Sequence, residues 1–91
     1  MVVSLEEAKL YLRVDSDEEN TLITSFILAA EELCEGVLRF PLSEFEVIPD
    51  TLKNAIFYTV ANFHEKREEA DMKEVISVVT RLLFPYRKEG W

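Results

Sequence analysis

The sequence predicts an all-α fold: a small bundle of four to five helices, with two longer central helices and an extended inter-helix connection over about residues 39–48. Three observations carry that prediction. Apolar residues recur at spacings of three and four across 22–38, 52–63 and 72–83, the period of a helix with one face buried. Each of these runs follows a capping signal. Only two glycines occur in 91 residues, and the three prolines fall between or after the runs, so nothing breaks a helix from inside.

Taken in order, the first helix is announced by "SLEE". Ser4 is placed to cap the backbone amides while Glu7, three positions on, reaches back to it. Leu5, Ala8 and Leu12 then share one face for about two turns. The polar run "VDSDEEN" interrupts. Ser16 and Glu19 repeat the capping-box spacing, and Asp17, Glu18 and Glu19 put negative charge at the positive end of the next helix dipole. That helix is expected to run about twenty residues, burying Leu22, Ile23, Phe26, Ile27, Ala30, Leu33, Cys34, Val37 and Leu38 and leaving Thr24, Ser25, Glu31, Glu32 and Glu35 wet.

Between Arg39 and Ile48 the period fails. Pro41 has no place inside a helix, and "FPLSEFEVI" alternates loosely as an extended segment does, with room for a short strand. Asp50 or Thr51 caps the third helix, whose stripe Leu52, Ala55, Ile56, Thr59, Val60 and Phe63 is widened by Phe57, Tyr58 and Ala61. A helix apolar over so much of its circumference belongs between neighbours. The last helix is capped by Asp71 with Glu74, carries Met72, Val75, Ile76, Val79, Leu82 and Leu83 on one face, and ends at Pro85. The chain divides into one helical domain, 1–85, and a short tail, 86–91. It contains no internal repeat and no low-complexity segment.

Composition narrows the function. With 48% hydrophobic residues the chain has the material for an ordered core. Its net charge of -8 repels duplex DNA on average, and no basic stripe offsets that, which excludes tight groove binding. One cysteine, Cys34, cannot build an internal disulfide framework and fits a reducing compartment. No basic leader precedes a long apolar run and no stretch approaches the ~18 apolar residues of a membrane span, so a soluble intracellular protein is expected.

Reactive chemistry finds no foothold. In "HEKRE" Glu68 stands where a zinc metalloprotease needs its second histidine, and Ala61 stands three before His64 where a di-metal Glu-x-x-His pair needs a carboxylate. His64 is read as a half-exposed residue late in its helix. Cys34 lies in an apolar stripe with no cation to activate it and is read as core filler. Gly36 and Gly90 do not form a phosphate-cradling loop. The glutamates of 31–35 and 65–69 are read as solvated faces. No catalytic, cofactor-binding or metal-ligating residue is assigned.

Taken together, three stretches carry a resemblance. A helix start with Glu7, Lys9 and Tyr11 to Asp15 leads into an acidic cap and the long helix bearing Ala29 to Glu32. Pro49 opens a helix that ends near Phe63 to Glu68, and the chain closes with "LLFPYR", Leu82 to Arg87. In order and spacing this resembles the head-tail connector (adaptor) proteins of tailed bacteriophages, also described as DNA-packaging proteins. The resemblance spans nearly the whole chain, and "LLFPYR" is its sharpest element. It implies an all-helical, non-enzymatic subunit of a homo-oligomeric ring at the head-tail junction of the virion of a phage or prophage. The ring would lie between the portal protein and a tail-side completion protein, with DNA passing through unread. The subunit would occupy the host cytoplasm before assembly.

That role gives the surface residues expected duties. A ring of identical chains needs two different patches that meet. Phe40, Phe45 and Val47 are candidates for one and Phe57 and Tyr58 for the other, unless they simply cover the subunit's own core. Carboxylates lining a channel would repel phosphate and let DNA slide, a task open to Glu31, Glu32 and Glu35 or to Glu65, Glu68 and Glu69. The cationic, aromatic tail is expected to dock on the portal through Tyr86, Arg87, Lys88 and Trp91. For Phe84 and Tyr86 the competing expectation is that they fold back onto the third helix. A different class, a small acidic helical regulator that binds another protein's basic surface as a DNA mimic, predicts a monomer or dimer with carboxylates spaced like phosphates.

Overall fold

The computed structural model describes residues 1–66 and 71–87. The elements are α1 (Leu5–Leu12), α2 (Asn20–Leu38), a 3-10 turn (Leu42–Glu44), α3 (Asp50–Glu65), α4 (Met72–Leu83) and a second 3-10 turn (Phe84–Tyr86). The fold is all-α, with α2 and α3 as its two long central helices, and no strand occurs among the described residues.

Two helix starts form as the local sequence dictates. The Glu7 N–H donates to Ser4 Oγ and the Ser4 N–H donates to Glu7 Oε1, both at 3.0 Å, so two orphan donors of α1 are satisfied reciprocally. At α4 the Glu74 N–H donates to Asp71 Oδ1 at 3.2 Å. The other two starts differ from expectation. No box forms between Ser16 and Glu19: α2 begins at Asn20, and its flanking Glu19 makes no side-chain cap. The Asp17 carboxylate instead accepts from Lys9 Nζ at 2.8 Å and from Asn20 Nδ2 at 3.3 Å. Neither Asp50 nor Thr51 caps α3. Pro49 holds that position with extended backbone, and Asp50 is already helical, so its carboxylate serves the dipole from the first turn.

The connection over 39–48 is tighter than the extended segment expected. Pro41 stands before a 3-10 turn that buries Leu42, and the Leu42 N–H donates to Glu35 Oε2 at 2.8 Å. A carboxylate of the preceding helix thus does what a strand neighbour would have done for that amide.

The packing order follows from which faces are used. Every buried residue of α2 (Ile23, Ile27, Ala30, Cys34, Leu38) and of α3 (Leu52, Ala55, Ile56, Thr59, Val60) lies on its predicted stripe. Thr59, the buried polar member, donates its hydroxyl to the Ala55 carbonyl at 2.9 Å and so leaves no donor unsatisfied. α1 and α4 each pack against both long helices and make little contact with each other. They lie on opposite sides of the α2/α3 pair. On one side Tyr11 stacks on Phe57 with ring centroids 4.9 Å apart, and Lys53 Nζ sits 3.6 Å from Glu7 Oε2. On the other, Met72 and Ile76 of α4 face Leu33 and Val37 of α2 beside Phe63 of α3. His64 bridges the long helices at one end, its Nε2 3.1 Å from Glu19 Oε1.

The first residues join this core. Val3 is fully buried, and the Val2 N–H donates to Glu31 Oε2 at 2.6 Å. Burying a valine side chain stabilises by roughly 1.5 kcal/mol or more, enough to hold a segment too short to fold by itself.

Candidate functional site

The surface divides into three regions that could meet a partner. At the end of the bundle where α2 and α4 finish, Phe40, Phe45 and Tyr86 form a ladder of rings. Phe40 and Phe45 are tilted at 5.2 Å, and Phe45 meets Tyr86 edge-on at 6.1 Å. Such aromatic pairs contribute about 0.5–1.5 kcal/mol beyond their burial, so the root of the tail is fixed to the connection after α2. Neither Phe84 nor Tyr86 is buried, and Phe84 is 66% exposed. Arg87 is half-buried, and its Nε has no acceptor among the described residues. Lys88 and Trp91, the other expected docking residues, lie outside the described residues.

The residues expected at subunit contacts are placed unevenly. Phe40, Phe45, Phe57 and Tyr58 all pack against the subunit's own core, the use weighed against interface contact from the start. Val47 alone among the five stands free, at 82% exposure.

The acidic set also separates. Glu31 and Glu35 are half-buried and accept backbone amides from Val2 and Leu42, so they are structural anchors in this fold. Glu32 and Glu65 are exposed. Glu68 and Glu69 lie outside the described residues. The two anchors also flank Cys34, which is fully buried. Burial first, and the charges of Glu31 and Glu35 after it, push the thiol up from its ordinary 9.0 to about 12. A thiol so protonated is a small hydrophobe. His64 is part-buried and faces Glu19, which makes it a clasp between α2 and α3.

Two apolar features lay outside the sequence expectations. Leu10, on the outer side of α1, is 82% exposed. Across the molecule, Ala29, Leu33, Gly36 and Val37 of α2 form an open apolar groove with Met72 and Ile76 of α4, and Glu32 is its charged member. Leu10 carried a readable signal, an apolar residue on the wet face of an amphipathic helix, whereas the groove arises only from how α4 packs beside α2.

Among the described residues no group of three or more His, Cys, Asp or Glu could hold a metal ion, and no helix is long and apolar enough to cross a membrane. Among the described residues the molecule presents a helical scaffold with exposed apolar and charged surface patches. The chain belongs to the phage gp6-like head-tail connector family, whose model matches residues 2–89. That family places it among the structural proteins of the virion, with other phage structural proteins as partners. Neither curated proteins nor solved structures give a match to the chain.

Proposed function

We propose that this protein is one subunit of a homo-oligomeric ring seated between the portal and a tail-side completion protein, with DNA passing through the ring. The family match over residues 2–89 is the observation that carries the reading. The C-terminal end supplies the portal contact. Phe84 projects beside a root that Tyr86 fixes on Phe45, and Arg87, Lys88 and Trp91 add the cationic and aromatic side chains that anchor protein interfaces. The ring wall that meets DNA is acidic. Of the carboxylates considered for this wall, Glu65, with Glu68 and Glu69, is left to face a duplex, since Glu31 and Glu35 are engaged by backbone amides and Glu32 lines the α2/α4 groove. A duplex beside such a wall is repelled and slides without being read. Until assembly the subunit resides in the host cytoplasm.

Truncation after Arg87 tests the docking role while leaving the contact between Tyr86 and Phe45 intact. The expected result is unchanged helical circular dichroism together with loss of binding to purified portal rings in a pull-down. A truncated protein that still decorates portal rings, seen by negative-stain electron microscopy, would remove residues 88–91 from the interface.

A further inference from the structure

The reading as a ring subunit leaves open which two surfaces meet, and the structure offers a pair. We propose that Leu10 and its surroundings on α1 of one copy insert into the α2/α4 groove of the next, with Arg13 against Glu32. This inference rests on the ring reading and specifies its contact.

Four observations point the same way. First, the groove and Leu10 lie on opposite sides of the α2/α3 pair, because α1 and α4 flank that pair from either side. A closed ring of more than a few copies needs its two patches on nearly opposite flanks, whereas two patches on one flank give dimers or crossed filaments. Phe84 is also exposed, but it follows directly on α4, the helix that walls the groove, and so lacks that separation.

Second, each patch exposes large apolar side chains, which on α1 are ringed by charge. Leu10 is 82% exposed, and Met72 and Ile76 are each 42% exposed at the groove. Third, Gly36 sits within α2 where a Cβ would meet nothing within 4 Å. A glycine at such a place costs the helix about 1 kcal/mol relative to alanine, and neither crowding nor a left-handed backbone in this subunit calls for one. Its absent side chain leaves the groove open enough for another helix to approach. Fourth, the charges match. The α1 patch carries Glu6, Lys9, Arg13 and Asp15; Lys9 is taken by Asp17, while Arg13 makes no ion pair among the described residues. Glu32 is the charged residue lining the groove.

α1 is also held firmly enough to act as the inserted element. The Ser4 and Glu7 box fixes its start, Tyr11 and Lys53 tie its side to α3, and its end is closed by the Arg13 and Val14 N–H groups on the Lys9 and Leu10 carbonyls. A patch that is rigid before contact loses little freedom on binding.

Two variants test the pairing. Gly36→Gln fills the groove with a good helix former and should raise the melting temperature, so a folding defect cannot explain its effect. Leu10→Asp removes the inserted side chain at an exposed site. Each alone should raise the concentration needed for assembly at least about tenfold, in sedimentation velocity and on portal rings seen by electron microscopy. Mixing the two should yield 1:1 dimers and nothing larger, since each pair retains one intact knob and one intact groove. If both variants assemble as the parent does, or if their mixture rebuilds rings, these surfaces are wrong while the ring reading stands. If the parent chain forms no ring alone or on the portal, the ring reading fails, and this inference with it.

Discussion

Arg39 ends the longest helix in a left-handed conformation, with φ of 68°, so that its N–H can donate to the Glu35 carbonyl at 2.7 Å. A side chain in that region costs roughly 1 kcal/mol that glycine avoids. Arg39→Gly should therefore stabilise the subunit by up to about 1 kcal/mol, raising the melting temperature by a few degrees in a calorimetric scan. Cys34 gives a second prediction at this scale. Its thiol loses a proton near 9.0 when unfolded but only at about 12 when folded. The unfolded chain therefore gains stability from ionisation first, and folding stability should decline as pH rises above 9 toward 12. In Cys34→Ala that alkaline decline should be weaker in urea titrations, although the variant starts less stable because it leaves a cavity. Asp17 sets the acid side with the opposite sign. The Lys9 ammonium, then Asn20, hold its carboxyl below the ordinary 3.8. Its contribution is full above that value and fades as pH falls through the lowered one.

Helices whose signals are local could be read directly. The starts of α1 and α4 each involve residues three apart, and the stripes of α2 and α3 mark their buried faces. Elements decided by distant partners could not be read this way. Asp17 is drawn to Lys9 on another helix, which cancels the box at Ser16, and Glu35 supplies an acceptor that turns the 39–48 connection into a 3-10 turn. Among the candidate surfaces, the position of the aromatic end was legible because Pro85 marks where α4 must stop. The groove was not, because only the packing of α4 leaves Met72 and Ile76 beside Ala29 and Gly36. Glu31 illustrates the same limit: in sequence it is a wet glutamate, in the fold it anchors the amide of Val2. Glu31→Ala should loosen the first residues and destabilise by about 1.5–3 kcal/mol, the range for a hydrogen bond to a charged group. Faster hydrogen exchange at the Val2 and Val3 amides, with little change in the centre of α3, is the expected signature.

At the scale of the whole molecule, a flattened body of 43 × 29 × 17 Å carries a net charge of -8, and copies placed side by side must overcome mutual repulsion. Two contacts then respond oppositely to salt. The proposed contact between copies is mostly apolar, with one matched pair, Arg13 and Glu32, against eight net negative charges on each copy. Screening should relieve more repulsion than it removes attraction. Raising salt from roughly 0.02 M to 0.5 M shortens the Debye length from about 20 Å to about 4 Å, so association between subunits should strengthen across that range. The proposed tail contact would set Arg87 and Lys88 against the portal, and a contact held by those cations is weakened by the same change. Sedimentation of the free protein and pull-down by the portal, measured over one salt series, should therefore diverge. Association that weakens with salt would mean that ion pairs, rather than Leu10 and the α2/α4 groove, hold the copies together.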